Sequence, residues 1–139
     1  RHNPEADHTS HSHALSMSDT YHSNQAFTGL GINASEHITC ADFANFFAFS
    51  NGKFCTPIKE VYKGTVRKII IEIAGKIAPI EERVISYNEI KDFKGAFITS
   101  LQIGVLPVKQ IDKIKINDGK VCKEILELRE LYQDYLMNH

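Results

Sequence analysis

The sequence predicts an α+β fold, because helix-type and strand-type patterns are mixed along the chain without strict alternation. Two observations carry this prediction: an aromatic-rich hairpin pattern lies near residue 50, and an amphipathic helix pattern begins near Thr65. A second amphipathic pattern occupies residues 120–137, after several short apolar runs typical of strands. A length of 139 residues suits one domain with a hydrophobic core.

The segment NFFAFSNGKFCTP predicts a β-hairpin. Asn51-Gly52 favours the positive φ angles of a type I′ turn, so strands are expected at about 43–49 and 53–56. Apolar side chains occupy both faces of the first strand, which indicates a strand that is covered on both sides. Pro57 is expected to end the second strand because proline has no N–H to donate to the ladder.

The segment VYKGTVRKIIIEIAG predicts a helix that begins near Thr65 and ends at Gly75. Its apolar residues recur with the spacing of one helix face, and Gly75 is a suitable C-terminal stop. The later elements are expected to be a strand at 80–86, a helical turn at 87–93, a buried strand at 96–100, short strands over 104–116 broken at Pro107, a turn at 117–119 and a closing helix at 120–137.

Residues 1–24 differ in composition from the rest, since five His, five Ser and two Thr make up half of this segment. We expect a flexible or irregular segment over 1–24 and a folded domain over 25–139, because so few apolar residues cannot offset the entropy of ordering. His8, His11 and His13 are of a type that binds transition metals. Such a run is more often a solvated polar tail, and the spacing fixes no coordination geometry.

Charge and composition exclude several classes of function. The formal net charge of -1 gives no overall field that attracts nucleic acid or an acidic membrane. No apolar run is long enough to span a bilayer, and no signal-peptide core lies near the start. Cys40, Cys55 and Cys122 show no CxxC spacing, so free thiols in a reducing, cytoplasmic environment are expected.

Gly64-Thr65 stands where the first helix begins, and a helix start is a ready anion site. The N–H groups of the first turn lack intrahelical partners, and this end of the helix dipole is partly positive. Gly64 lets a ligand approach the backbone closely. The alternative is that Gly64-Thr65 simply starts a core helix, because short matches of a glycine and a hydroxyl residue are common.

Four motifs in order resemble the class IV aminotransferases: ANFFAFSNGKFCTP, then KGTVR, then ITSLQIGVLPV, then INDGK. The resemblance covers about residues 38–137. It implies the larger, C-terminal domain of the fold-type IV pyridoxal-phosphate enzymes, with a central mixed sheet and packed helices. The family includes branched-chain and D-amino-acid aminotransferases and aminodeoxychorismate lyase, and the TSL…G…PV motif looks closer to the lyase. The family's smaller domain has no counterpart in this sequence.

The resemblance also implies a cofactor, substrates and site residues. It implies pyridoxal phosphate, an amino acid, keto acid or amino-chorismate as substrate, and leaves a homodimer open. The cofactor phosphate is received by a helix start and by a second loop. The residues implied are Gly64, Thr65 and Val66 in the helix start and Thr99, Ser100 and Leu101 in the loop.

Two departures from the family concern the chemistry itself. The family forms a Schiff base with a lysine upstream of the hairpin, yet the first lysine of this sequence is Lys53. Covalent catalysis of this kind needs a primary amine. Cys40 stands where the family has a carboxylate that pairs with the ring nitrogen, and a neutral thiol pairs poorly with a pyridinium. The alternative for Cys40 is a small buried residue without a role in binding.

Three functions are consistent with these features. The first is the C-terminal portion of a pyridoxal-phosphate aminotransferase or lyase, and the second is a truncated or degenerate relative that keeps the fold and an anion site. The third is an interaction domain that uses the charged face of the helix at 120–137, although such a face is more often only solvated. We identify no catalytic residue and expect no family-like turnover from these 139 residues alone.

Overall fold

The computed structural model describes residues 11–17, 27–41, 44–58, 64–101 and 104–138, and only the backbone of residues 11–17, 27–29 and 41. The described strands are β1 (His11–Met17), β2 (Phe27–Ile32), β3 (Ile38–Ala41), β4 (Asn45–Ser50), β5 (Lys53–Thr56), β6 (Ile80–Glu82), β7 (Gly95–Ser100), β8 (Gly104–Ile111) and β9 (Ile114–Lys115). The helices are α1 (Thr65–Ala74) and α2 (Lys123–Asn138), with 3-10 helices at Tyr87–Asp92 and Ile116–Gly119.

The described strands form one sheet in the order β3-β2-β1-β8-β7-β4-β5-β6, with β9 paired to β8. The β5–β6 pair is parallel and the other pairs are antiparallel. A mixed sheet with helices packed on it confirms the predicted α+β class.

The sheet is buried on both faces along its central strands. On one face lies the inner cluster, which includes Leu30, Ile32, Ile38, Phe46, Ala48, Ile98 and Val108. On the other face lies the helix-side cluster, in which Phe47, Phe49, Phe97 and Val105 pack with Val66 and Ile70 of α1 and Leu128 of α2. Successive residues of β4 therefore alternate between the two clusters, which confirms a strand covered on both sides.

The hairpin and the first helix agree with the sequence prediction. Asn51 has φ 56° and Gly52 has φ 75°, as a type I′ turn requires, and Ser50 pairs with Lys53 across the turn. The helix α1 begins at Thr65 and is followed by Gly75, whose N–H donates to Ile71 O at 3.2 Å.

Two strand predictions were wrong in extent. The strand β8 runs through Pro107 without a break, and Pro107 stands opposite Phe97, beyond the last described pair of β8 with β1. Proline is tolerated where a strand has a ladder on one side only. The strand expected at 80–86 ends at Glu82, because its parallel partner β5 ends at Thr56 before Pro57.

The irregular segment expected over 1–24 contains β1, which pairs with β2 and with β8. The expectation was therefore wrong for residues 11–17, because cross-strand pairing overrides a weakly apolar composition. The division of the chain at residue 24 stays a prediction. His8 lies outside the described residues, and so do the side chains of His11 and His13.

The closing helix begins at Lys123, three residues later than expected, after a turn in which Asn117, Asp118 and Gly119 all have positive φ.

Candidate functional site

The start of α1 is open to an anion in the part of the chain that the structure describes. Gly64 is the N-cap residue with φ −80° and ψ 172°, and no side chain caps the helix. The first backbone bond of the helix runs from Lys68 N–H to Gly64 O at 3.3 Å. The N–H groups of Thr65 and Val66 have no partner among the described residues. Thr65 is exposed and Val66 is buried, so the helix is anchored while its first donors remain available.

The end of β7 carries a buried hydroxyl without a partner. Thr99 is 1% exposed, and its Oγ1 accepts and donates no hydrogen bond within the described part of the chain. Thr99 stands opposite Asn45 in the β4–β7 ladder. Because side chains alternate along a strand, Thr99 lies on the same face as Phe97 of the helix-side cluster. This is the sheet face on which α1 packs, so the unpaired hydroxyl and the open helix start border the same side of the sheet.

The two residues after Thr99 differ sharply in exposure. Ser100 is half-buried at the last position of β7, whereas the side chain of Leu101 is 79% exposed. A leucine side chain offers no hydrogen bond. Leu101 can therefore contribute only its backbone N–H to an anion, in the manner of the helix start.

Cys40 lies in a β-bulge of β3. Leu30 pairs with Ala41 and Ile32 pairs with Ile38, so the one residue of β2 between these pairs faces two residues of β3, Thr39 and Cys40. Bulges re-aim side chains and are frequent near active sites. Cys40 is not in a disulfide and is 5% exposed. Its neighbour Thr39 is 1% exposed, with an Oγ1 that lacks a partner among the described residues. Sequence analysis did not single out Thr39, because a threonine in a strand is ordinary.

Arg67 anchors the first turn of α1 and was also not anticipated from sequence. Its guanidinium is 5% exposed, and Nη2 donates to Pro57 O at 3.1 Å and to Glu82 Oε1 at 3.0 Å. These bonds tie the helix start to the end of β5 and to β6. An arginine on the first turn of an amphipathic helix is normally expected to lie in solvent, so its anchoring role is recognised only from the packing in the structure.

Cys55 belongs to a charged cluster that gives it no nucleophilic character. Burial raises the pKa of the Cys55 thiol to about 11, although Arg83 lies at 3.8 Å and acts in the opposite direction. Glu89 accepts from Arg83 Nη2 at 2.9 Å and from Ser86 N–H at 2.9 Å. Burial alone would raise the pKa of Glu89, but these hydrogen bonds outweigh it and the pKa is lowered. A buried thiol with a raised pKa is chemically inert at neutral pH.

The donors fit the phosphate end of a pyridoxal-phosphate cofactor better than the rest of it. An uncapped helix start and an unpaired buried hydroxyl suit a phosphate group. Lys53, the first lysine of the sequence, is paired with Glu81 at 3.3 Å, with the Lys53 side chain 50% exposed. No carboxylate stands at position 40.

Neither of the two helices in the described ranges is long and apolar enough to cross a membrane.

Comparison with known proteins identifies the family of this fold. The family model of amino-transferase class IV matches residues 1–111. A protein of Aquifex aeolicus named a probable branched-chain-amino-acid aminotransferase is 29% identical over 105 residues, covering 73% of this chain and 34% of its own length. A D-alanine aminotransferase of Staphylococcus aureus is 28% identical over 110 residues, covering 75% of this chain and 38% of its own. The chain thus spans between a third and two fifths of these relatives.

Solved structures agree with this fold. The branched-chain amino acid aminotransferase of Escherichia coli superposes with a TM-score of 0.73 at 20% identity, over 81% of this chain and 39% of its own. The same enzyme of Thermobaculum terrenum, in its holo form with pyridoxal phosphate, superposes with a TM-score of 0.75 at 22% identity, over 80% of this chain and 38% of its own. At these identities the likeness establishes the shared fold.

Proposed function

Because the chain belongs to the class IV aminotransferase family, we propose that it binds the phosphate group of pyridoxal phosphate at the start of α1. The observation that carries the proposal is the combination of an uncapped helix start and the unpaired, buried hydroxyl of Thr99 on the same side of the sheet. A buried hydroxyl without a partner costs about 1–3 kcal/mol. A phosphate oxygen would satisfy that hydroxyl and the free N–H groups together.

Each proposed ligand has a defined contribution. Thr65 and Val66 donate backbone N–H groups along the helix dipole, and the exposed Thr65 adds a hydroxyl. Gly64 has no side chain between the backbone and the anion. At the end of β7, Thr99 offers its hydroxyl and Leu101 offers its backbone N–H. The Arg67 anchor does not touch the anion in this scheme but holds the helix start in place.

The reaction of the complete protein is proposed from the family. When bound, pyridoxal phosphate supplies an electron-accepting ring for reactions of amino acids. This chain would hold and orient the phosphate, while residues 1–52 contain no lysine to form an imine with the cofactor. The named relatives support transfer of an amino group between an amino acid and a keto acid. The TSL…G…PV motif supports a lyase acting on an amino-chorismate as the second candidate.

Two residues favour an alternative to an enzyme, namely a non-catalytic relative of the family. Cys40 replaces the carboxylate that the family pairs with the ring nitrogen, and the first lysine is the surface residue Lys53. Borohydride reduction after addition of pyridoxal phosphate separates the two functions. A single lysine labelled in a phosphate-dependent manner supports an enzyme, whereas phosphate-dependent binding without a labelled lysine supports the non-catalytic relative.

Pyridoxamine 5′-phosphate is the best probe of the phosphate site, because its amine cannot form an imine with a lysine. We expect it to bind more tightly than pyridoxamine, which lacks the phosphate. Gly64→Val should weaken the phosphate ligand about tenfold or more, since the new side chain crowds the anion while φ −80° suits any residue. Gly75→Val, at the other end of α1, is the matched control and should leave binding unchanged. Equal affinity for the two ligands, or equal effects of the two variants, would refute the proposal.

A further inference from the structure

A cleft of about 310 Å³ lies between the second half of α2 and the end of the β7–β8 ladder. The residues that line it include Leu101, Val105, Arg129, Tyr132, Gln133 and Leu136. Its volume is close to the lower end, about 300 Å³, of the range usual for small-molecule sites. The cleft is therefore large enough for a small ligand, and Leu101 is the one lining residue that also belongs to the proposed phosphate site.

Most of the side chains that line the cleft are apolar. Val105 and Tyr132 are buried, so they form its floor, whereas Leu101 and Leu136 are each more than half exposed. Exposed apolar side chains that share one concave surface mark a place where an apolar group can be covered. The cleft is therefore suited to the hydrocarbon part of a ligand.

The polar part of the cleft consists of Arg129 and Gln133, which are four residues apart and so adjacent on one face of α2. Arg129 is half-buried, and within the described ranges neither of these two side chains makes a hydrogen bond or an ion pair. The sequence of α2 explains this, because no acidic residue stands three or four positions from Arg129. By contrast, Arg67 and Arg83 both pair with glutamates. The charge of Arg129 is thus available to a ligand in the cleft.

We infer that this cleft binds an aliphatic carboxylate. The carboxylate accepts hydrogen bonds from the guanidinium of Arg129 and the amide of Gln133, and the hydrocarbon chain lies against the apolar side chains. A planar guanidinium offers two parallel N–H groups that match the two oxygens of a carboxylate. One cation among apolar side chains suits the single charge of a carboxylate better than the higher charge of a phosphate group. The inference does not rest on the proposed function, because the helix start at Gly64 does not line the cleft.

Octanoate is a suitable probe, with octylamine and acetate as its controls. Octylamine has a chain of the same length with the opposite charge, and acetate has the carboxylate without the long chain. We expect titration calorimetry to show that octanoate binds about tenfold or more tightly than either control, because octanoate alone satisfies both parts of the cleft. Inorganic phosphate at saturation should not displace it.

Three variants test the assignment to this cleft. Arg129→Gln removes the charge but keeps an amide, and it should weaken octanoate about tenfold. Lys123→Gln removes a charge from the exposed surface of the same helix, outside the cleft, and should leave the affinity unchanged. Leu136→Ala shortens an exposed side chain, so it should not unfold the chain, and it should weaken octanoate about threefold.

Several results would overturn the inference. Octanoate and octylamine could bind equally, or Arg129→Gln and Lys123→Gln could have equal affinities for octanoate; either result would show that the charge of Arg129 is not used. Displacement of octanoate by inorganic phosphate would place it at the helix start instead. A dimer in analytical ultracentrifugation that does not bind octanoate, and that dissociates in Leu136→Ala, would show that a second copy of the chain covers the cleft. Failure of the monomeric chain to bind octanoate would also reject the inference.

Discussion

Asn45 and Thr99 stand directly opposite each other on β4 and β7, and both are buried although both are polar. They are the first residue of one strand and the fifth of the other, at the edge of an otherwise apolar face that includes Phe47 and Phe97, whose rings stack with centroids 4.9 Å apart. The Thr99 hydroxyl has no partner among the described residues, and a buried polar atom of this kind is costly for stability. It lies on the sheet face on which α1 packs, so ligand binding is the reason we propose for it.

Thr99→Val should weaken the binding of phosphate without lowering the stability of the fold. We expect weaker binding of inorganic phosphate, by about fivefold or more, together with an unchanged or higher free energy of unfolding, because a buried hydroxyl without a partner is removed isosterically. Titration calorimetry and urea denaturation measure the two quantities. Thr56→Val is the control, because the Thr56 hydroxyl donates to Phe46 O at 2.7 Å; it should cost about 1 kcal/mol and leave phosphate affinity unchanged. A loss of stability in Thr99→Val would contradict the assignment.

Glu82→Ala should destabilise the protein more than Glu81→Ala. Glu82 is an ion-pair partner of Arg67, whose side chain is 5% exposed. Removal of the Glu82 carboxylate therefore leaves a buried guanidinium charge without this partner. We expect a cost of about 1–3 kcal/mol. Glu81 pairs with Lys53 and Arg83, both of which are substantially exposed, and such pairs are worth about 0–1 kcal/mol. Equal urea midpoints for the two variants would show that Arg67 is not anchored as described.

Gly95→Ala should strain the contact between β7 and α2. A Cβ at this position would lie 2.6 Å from Ile125 Cδ1 and 2.7 Å from Cys122 Sγ. Overpacking of this kind costs about 1–3 kcal/mol. At Gly75, a Cβ would meet only ordinary contacts of 3.5 Å or more, so Gly75→Ala should be neutral or stabilising by up to about 1 kcal/mol. Thermal or urea denaturation of both variants checks the ranking.

The Arg83–Glu89 pair should make stability depend on pH in the acid range. The pKa of Glu89 is lowered in the folded state because hydrogen bonds from Arg83 and Ser86 outweigh the effect of burial. Because this pKa is lowered, ionised Glu89 stabilises the fold at pH values above the pKa of about 4.3 that the group has in the unfolded chain. This stabilisation is lost as the pH falls through the pKa of Glu89 in the folded state. Urea denaturation at a series of pH values from 7 down to about 3 gives the free energy of unfolding at each pH. This free energy should fall more steeply with decreasing pH in the unaltered chain than in Glu89→Gln. Parallel profiles would contradict this account.

Local chemistry made much of the fold predictable. The Asn51-Gly52 turn, the helix that starts at Thr65 and the strand at Phe97 follow from turn propensity and apolar periodicity, which act over a few residues. The strands before Asn45 could not be predicted in the same way. The segment His11–Met17 is ordered by pairing with distant β2 and β8, and the bulge at Thr39 depends on the register with β2.

The candidate site was predictable only in part. Gly64, Thr65 and Thr99 follow from motif resemblance and from the physics of a helix start. Thr39 and Arg67 could not be found, because a buried hydroxyl without a partner and a buried guanidinium are properties of packing. No residue spacing in the sequence distinguishes either from an ordinary surface residue.

The most direct test of the central claim is to follow the backbone amide resonances of the ¹⁵N-labelled chain during titration with inorganic phosphate. Binding at the start of α1 predicts saturable shifts at Thr65 and Val66, and at Ser100 and Leu101 at the end of β7, with one common dissociation constant. These shifts should disappear in Gly64→Val. Unchanged amides at Thr65 and Val66 at saturating phosphate, or shifts confined to lysine-rich surface segments, would contradict the claim that this helix start holds the cofactor phosphate.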